Sequence, residues 1–284
     1  MSLDRLSTPP TLPPRPLTGH KGLFGRVLVV GGSEKMIGAP VLAGTAALRM
    51  GSGLVQIATP KAILASALSI TPELIGLGLG KGVGSDLLEA AKAADVLVVG
   101  PGMGKEADAK ARVLRLIKLT KAMVIDADGL NILAAQKKFP KPFAADAILT
   151  PHPGEMTRLN KLLKRGKTPE DDEGRMDNAV AAAKAFGQIV VLKGERTVVS
   201  DGKQVYVNMT GNSALSKAGS GDVLSGMIAS LVGQGMRLFD AACAGVHLHG
   251  LAGEISGRRL GSRSVLARDV IDSISEAIAM SEKS

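Results

Sequence analysis

The chain has 284 residues, a formal net charge of +9 and 45% hydrophobic residues, enough for the core of one large α/β domain. Aromatic residues make up only 2% and the basic residues are dispersed, which argues against a nucleic-acid-binding surface. The single cysteine, Cys243, excludes an internal disulfide, and no apolar run reaches the length of a transmembrane helix.

The N-terminal segment, residues 1–19, is rich in proline, with Pro9, Pro10, Pro13, Pro14 and Pro16. This composition predicts an extended arm that precedes a single domain at residues 20–284. Proline and polar residues also interrupt any signal-peptide core, so we expect a cytoplasmic location. An extended arm is suited to packing on the surface of a neighbouring subunit.

Six apolar segments predict buried strands, at residues 26–31, 54–59, 95–100, 122–126, 147–150 and 188–193. A helix with small residues on one side is predicted at 39–50. Continuous apolar strands separated by helices indicate a mostly parallel sheet that is covered on both faces.

The second half of the chain begins with a charged segment at 164–178, which predicts an exposed loop. Residues 197–200 and 204–207 flank Asp201-Gly202, a pair typical of a tight hairpin turn. Helices are predicted at 222–231, 239–254 and 267–280. The buried position expected for Cys243 lies in the second of these helices.

The sharpest candidate for chemistry is the segment 217–226 (KAGSGDVLSG), in which small residues lead directly into an apolar helix. A helix N-terminus presents free N–H groups and a partial positive charge, and glycines let those groups converge on an anion. Asp222 would then stand beside a bound phosphate. The alternative is an ordinary N-cap aspartate.

Two other glycine-rich segments resemble nucleotide-binding loops only superficially. Residues 100–105 (GPGMGK) are too short for a Walker A loop, and Glu106 stands where a Mg²⁺-binding Ser or Thr is needed. Residues 30–38 lack the spacing of a dinucleotide-binding fingerprint. Both nevertheless follow predicted parallel strands, the place where α/β sheets bind ligands.

Three further strand ends carry polar residues. In residues 150–155 (TPHPGE), Glu155 could hold Mg²⁺ through water, or Glu155 could start a helix while His152 caps a strand end. Lys193 to Thr197 could bind a nucleotide or form a plain turn. Asp126 and Asp128 are equally compatible with active-site carboxylates and with helix caps.

Taken together, these segments resemble the ADP- or ATP-dependent NAD(P)H-hydrate dehydratases of the ribokinase-like superfamily. The resemblance runs from about His20 to the last helix. It rests on residues 20–33 (HKGLFGRVLVVGGS), 38–39 (GA), 53–55 (GLV), 100–102 (GPG), 126–128 (DAD), 150–155 (TPHPGE), 193–194 (KG) with Thr197, and 219–224 (GSGDVL). It implies a three-layer αβα sandwich with a mostly parallel central sheet.

The resemblance also implies a role for each matching residue. The hydrated nicotinamide nucleotide would contact Ala39, Gly104, His152 and Asp222, and Asp222 would be the catalytic base. The adenine nucleotide would be held by Lys193, Gly194, Glu195, Arg196, Thr197, Gly219 and Gly221. Mg²⁺ and ADP or ATP would take part, and the assembly would be a homotetramer. Ala218 and Ser220 stand where the family often has Gly and Thr.

Two other functions compete with this one. A hydroxymethylpyrimidine or hydroxyethylthiazole kinase would share the anion loop and the aspartate, and a non-catalytic nucleotide-binding protein would share only the fold. The arm at residues 1–19 is too short for the epimerase domain that often precedes such chains. We therefore expect a dehydratase domain alone, which favours ADP by resemblance to stand-alone bacterial members.

Overall fold

The computed structural model describes residues 3–139 and 143–282. Its centre is one ten-stranded sheet in the order β1-β10-β9-β8-β7-β6-β5-β2-β3-β4. Neighbouring strands are parallel except at β9, which is antiparallel to β8 and β10. The strands are β1 Asp4–Leu6, β2 Arg26–Val30, β3 Leu54–Pro60, β4 Ile75–Leu79, β5 Val96–Val99, β6 Ala122–Ile125, β7 Ala147–Leu149, β8 Ile189–Leu192, β9 Val198–Ser200 and β10 Gln204–Val207.

Helices cover both faces of the sheet. They are α1 Gly38–Arg49, α2 Lys61–Ile70, α3 Ser85–Ala93, α4 Ala107–Leu116, α5 Asp128–Ala134, α6 Pro153–Asn160, α7 Asp172–Phe186, α8 Ser220–Gly233, α9 Leu238–Leu260, α10 Ala267–Asp272 and α11 Ile274–Ser281. Successive residues of a strand point to opposite faces. Val27 therefore belongs to the hydrophobic cluster that includes residues of α1, α8 and α9, and Leu28 belongs to the cluster that includes residues of α3 to α7. The predicted three-layer αβα sandwich with a mostly parallel sheet is confirmed.

The predicted strands and hairpin are present, with ends that differ by at most one residue. Strand β4 was not predicted, because the glycines of its sequence IGLGL have low strand propensity. In the structure these glycines make room for α2: a Cβ on Gly76 would lie 2.8 Å from a methyl group of Leu68. Cys243 is buried, as predicted, and is unpaired among the described residues.

The predicted exposed loop at 164–178 is wrong in its second half. Helix α7 begins at Asp172, because the side chain of Asp171 caps it by accepting a hydrogen bond from the N–H of Gly174. Arg175 in its first turn is buried, with 7% of its surface exposed. The charged composition of residues 164–178 was typical of a loop, but the later turns of α7 pack Ala179 and Ala182 against the sheet.

The single helix predicted at 267–280 is also wrong, because it is interrupted at Ser273 between α10 and α11. The Ser273 hydroxyl lies 2.9 Å from that of Ser256 on α9, in the buried interior. Residues 4–6 of the predicted N-terminal arm form strand β1, which lies at the sheet edge beside β10. Arg15 donates to the carbonyl of Gly51, so the arm packs on its own chain. None of the helices in the described part of the chain has the length and hydropathy of a membrane-spanning segment.

Candidate active site

A cavity of about 1030 Å³ opens at the edge of the sheet where the parallel strands end. Segments after β6, β7 and β8 form one side of it, and α8 and α9 form the other. Ligands of open α/β sheets bind at this edge because the strand ends expose loop residues from distant parts of the chain. Its lining includes Asp126, His152, Glu155, Lys193 to Thr197, Gly219 to Asp222, and His249.

The N-terminal turn of α8 is the candidate phosphate site. Gly219 occupies the N-cap position with a φ of 91°, and no side chain among the described residues caps this end. The positive end of the helix therefore faces the cavity without a competing side chain. A Cβ on Gly221 would lie 3.1 Å from Nζ of Lys193, so a side chain at that position would crowd the ammonium group.

Asp222 is the third residue of α8, and the alternative of an N-cap aspartate is wrong because Gly219 is the N-cap. Burial raises the pKa of Asp222 to about 7, and the neighbouring Asp126 carboxylate adds to the increase while Lys193 opposes it. A carboxylate with a pKa near 7 is well matched to accepting a proton at neutral pH.

Beneath this turn lies an ion pair between the partly exposed Lys193 and the buried Asp126. Nζ of Lys193 donates to Oδ1 of Asp126 at 2.7 Å, and the hydroxyl of Ser225 on α8 donates to Oδ2 at 2.7 Å. The N–H of Ala127 donates to Oδ1 at 2.8 Å. Ala127 has a φ of 51° and a ψ of −117°, an unusual conformation for a residue with a side chain. Asp126 lines the cavity and is not the N-cap of α5, which is Ala127.

His152 and Glu155 form the N-terminal capping box of α6. Nδ1 of His152 accepts from the N–H of Gly154 at 3.0 Å, and Oε2 of Glu155 accepts from the N–H of His152 at 2.9 Å. Burial raises the pKa of Glu155 to about 7, partly offset by Lys193. Burial also lowers the pKa of His152. Glu155 thus lies in the first turn of α6, as its structural alternative expected, whereas His152 caps this helix and not a strand end. Both side chains also line the cavity.

The segment from Lys193 to Thr197 connects β8 to β9 along the cavity wall. Gly194 has a φ of 143° and Arg196 a φ of 53°, so the backbone turns twice in a short distance. The hydroxyl of Thr197 donates to the carbonyl of Gly194 at 3.0 Å. Arg196 forms an ion pair with Asp172 on α7, at 2.5 Å.

Ala39 and Gly104 do not line this cavity with the other predicted residues. Ala39 lies in the first turn of α1, after β2, and Gly104 follows β5, which is the neighbouring strand. A Cβ on Gly102 would lie 3.0 Å from the Cβ of Ala39, so the two segments touch. The N–H of Gly104 donates to Asp128 at 2.9 Å, which links this area to the start of α5.

The residues at the cavity are compatible with Mg²⁺ that is bound to phosphate. No group of three His, Cys, Asp or Glu side chains within residues 3–139 and 143–282 is arranged to hold a metal ion. Mg²⁺ commonly keeps several waters and is held by one or two carboxylates together with substrate phosphates. Glu155, a carboxylate at the cavity wall, suits that mode of binding through water.

Sequence reasoning did not single out three residues that the structure brings to the site. Ser225 binds Asp126 from a position 99 residues away, and Arg175 contacts the segment after β8. His249 lies against Ser220, with Nε2 at 3.1 Å from the hydroxyl, and burial lowers its pKa to about 4. Only their position in the folded chain identifies them, because each follows an ordinary helical pattern in the sequence.

Comparison with known proteins gives consistent matches. A family model for NAD(P)H-hydrate dehydratase matches residues 27–276. The chain is 41% identical over 272 residues to the bifunctional NAD(P)H-hydrate repair enzyme Nnr of Moorella thermoacetica, covering 92% of this chain and 50% of that protein. It is 40% identical over 247 residues to the ADP-dependent (S)-NAD(P)H-hydrate dehydratase of Neisseria meningitidis, covering 83% and 78%.

A solved structure shares the whole fold. The ADP/ATP-dependent NAD(P)H-hydrate dehydratase of Bacillus subtilis, co-crystallised with ATP and Mg²⁺, superposes with a TM-score of 0.80 at 29% identity. The match covers 95% of both chains. In contrast, this chain spans about half the length of the bifunctional relatives that it matches.

Proposed function

The chain belongs to the NAD(P)H-hydrate dehydratase family, and we propose that it uses ADP or ATP to dehydrate the hydrates of NADH and NADPH. The observation that carries this proposal is the position of Asp222. Its carboxylate, with a pKa near 7, stands in the first turn of α8 at the cavity that the Lys193 ammonium also lines. That arrangement suits transfer of a phosphoryl group to a hydroxyl.

The chemistry proceeds in two stages. Asp222 accepts the proton of the substrate hydroxyl while the hydroxyl oxygen attacks the terminal phosphorus of the adenine nucleotide. The bond from that phosphorus to the rest of the nucleotide breaks, and the nucleotide leaves with one phosphate fewer. The ring nitrogen then expels the new phosphate ester as inorganic phosphate, and loss of a proton from the neighbouring ring carbon restores the dihydropyridine. The first stage converts hydroxide, a poor leaving group, into phosphate.

The site roles implied by the resemblance complete this proposal. Ala39, Gly104, His152 and Asp222 contact the hydrated nucleotide. The segment from Lys193 to Thr197, with Gly219 and Gly221, binds the adenine nucleotide. The cavity supports the second group directly, since all of its members line the wall. Ala39 and Gly104 extend the site along the neighbouring strand ends toward β2 and β5.

The test is an absorbance assay of dihydropyridine formation from prepared NADPH hydrate, run with each nucleotide donor. A dehydratase restores absorbance only when donor is present. A vitamin-precursor kinase would instead phosphorylate hydroxymethylpyrimidine or hydroxyethylthiazole and leave the hydrate unchanged. A non-catalytic binding protein would bind nucleotide without turnover. Family membership supports the dehydratase over both alternatives.

For the donor, we propose a preference for ADP over ATP, supported by the similarity to an ADP-dependent relative. Faster turnover with ATP at matched concentrations would contradict it. We also propose that Mg²⁺ takes part and that Glu155 holds it through water. When bound, the ion would neutralise charge on the phosphate oxygens.

Assembly and location complete the proposal. A homotetramer is supported by the family resemblance and by two exposed apolar side chains, Leu17 in the arm and Leu23 shortly after it. Light scattering tests it, and a monomeric mass would refute it. A cytoplasmic location stays a proposal. Cell fractionation tests that expectation.

A further inference from the structure

Arg175 is a buried cation with an unusual set of partners. Only 7% of its surface is exposed, and its guanidinium contacts backbone carbonyls rather than a carboxylate. One terminal nitrogen donates to the carbonyl of Glu195, and the other lies 3.4 Å from the carbonyl of Lys193 and 3.5 Å from that of Leu192. Its Nε is the one buried side-chain nitrogen or oxygen, within the described ranges, that lacks a hydrogen-bond partner.

Burying a charge without a paired carboxylate is costly, so the arrangement requires compensation from several dipoles. Three carbonyl oxygens of one short segment provide it. The planar fork of arginine can reach more than one of them at once, whereas a lysine ammonium presents a single point of charge. Burial lowers the pKa of Arg175, partly offset by Asp172 and Glu195.

The contacted segment is shaped around the guanidinium. A Cβ on Gly194 would lie 2.7 Å from the Arg175 Nη2, so a side chain at that position would displace the guanidinium. The φ of 143° at Gly194 is likewise a conformation that residues with side chains rarely adopt. A second contact from the same turn of α7, the ion pair of Asp172 with Arg196, holds the far end of the segment.

The orientation of the peptide groups gives these contacts a functional meaning. In a trans peptide the carbonyl and the N–H point in opposite directions. Because the carbonyls of Lys193 and Glu195 face Arg175, the N–H groups of Gly194 and Arg196 point away from it. The cavity borders the segment from Lys193 to Thr197 but not Arg175, which places those N–H groups on the cavity side.

We propose that Arg175 is a positioning residue for the adenine nucleotide: its guanidinium holds the carbonyls after β8 so that the segment presents N–H donors to acceptor atoms of the ligand. This inference rests on the proposed function for the identity of the ligand. It assigns a role to α7, whose first turn lies behind the binding segment and does not touch the cavity.

The experiment compares Arg175→Lys and Arg175→Gln with wild type by calorimetric titration with ADP, which requires no turnover. Both variants lose the planar fork, and Lys keeps the charge. We expect ADP to bind about 10- to 100-fold more weakly, the range for losing hydrogen bonds from a charged group. In turnover assays, KM for the nucleotide should rise much more than KM for the hydrate. Added guanidinium should partly restore ADP affinity to the Gln variant.

Arg112 provides a matched control. It is buried to a similar extent, with 8% exposed, and its guanidinium donates to the carbonyls of Gly80 and Gly82 near a different strand end. Arg112→Lys should cost stability without changing ADP affinity. An Arg175→Lys protein with wild-type ADP affinity would overturn the proposal, as would equal losses of affinity in both Lys variants.

Two further outcomes are decisive. If neither Arg175 variant folds while Arg112→Lys does, Arg175 serves the fold alone and the proposal is overturned. If wild type binds ADP and the Arg175 variants do not, the proposal stands even when no hydrate is dehydrated. That last combination would refute the proposed function without refuting the role of Arg175.

Discussion

Replacing Asp222 with Asn removes a carboxylate from the first turn of α8 while keeping the size and shape of the side chain. In the folded protein, burial together with Asp126 raises the pKa of Asp222 from 3.8 to about 7. Folding therefore disfavours the ionised form, and wild type loses stability as the pH rises from about 4 to about 7. At about 1.36 kcal/mol for each pH unit, that loss amounts to at most ~4 kcal/mol.

Asp222→Asn should raise the free energy of unfolding and should lower turnover. At pH 8, Asp222→Asn should be more stable than wild type by up to ~4 kcal/mol, and at pH 5 the difference should shrink to less than about half. Turnover should fall by roughly 10²–10⁴-fold, the usual contribution of a general base. Denaturant unfolding at both pH values and the dihydropyridine absorbance assay measure the two effects on the same samples.

A matched control is Asp95→Asn, at an exposed carboxylate that accepts a hydrogen bond from the N–H of Arg26 at the opposite edge of the sheet. It should leave turnover unchanged and should show no gain in stability at pH 8. Near wild-type turnover of Asp222→Asn would remove the catalytic assignment. A loss of stability at pH 8 that exceeds the loss at pH 5 would refute the electrostatic reasoning.

Three further predictions follow from the geometry of the site and the core. Asp126→Asn should move the acid limb of the pH–rate profile to lower pH, because the Asp126 carboxylate raises the pKa of Asp222; an unchanged profile would contradict this. Glu155→Gln should raise the Mg²⁺ concentration needed for half-maximal turnover while the melting temperature stays within a few degrees of wild type, and an unaltered Mg²⁺ dependence would leave Glu155 with its capping role alone. Gly226→Ala should lower the free energy of unfolding by about 1–3 kcal/mol, because the added Cβ would lie 2.0 Å from a backbone carbonyl oxygen of α1. Gly38→Ala, with nothing within 4 Å of the added Cβ, should unfold like wild type, and equal denaturation midpoints for the two variants would refute the packing argument.

Local sequence patterns predicted much of the fold. The apolar run at 26–30 and its counterparts predicted buried parallel strands, because residues alternating between two covered faces must all be apolar. Asp201-Gly202 predicted the hairpin, since Gly202 adopts a φ of 90° there. Where local signals were weak or misleading, at glycine-containing β4 and at charged α7, packing against the rest of the molecule decided the structure.

The same division applies to the candidate site. The small residues before α8 and the polar residues at strand ends marked the right segments, because the chemistry of helix ends and strand ends is local. Their roles were left open, however. Local sequence allowed Asp126 to be a cap or an active-site carboxylate with equal ease, and it gave no reason to notice Arg175.

Sequence alone indicated most of the strands of the sheet and which of them end in residues able to bind an anion. Tertiary structure alone decided which charges meet: Lys193 pairs with Asp126 across 67 positions of the chain, and Ser225 joins the pair from 99 positions away. The pKa of Asp222 depends on burial and on the charges of Asp126 and Lys193, and the sequence near residue 222 specifies neither. The physical reason is that desolvation and Coulomb interactions depend on distances in space, which only the folded chain fixes.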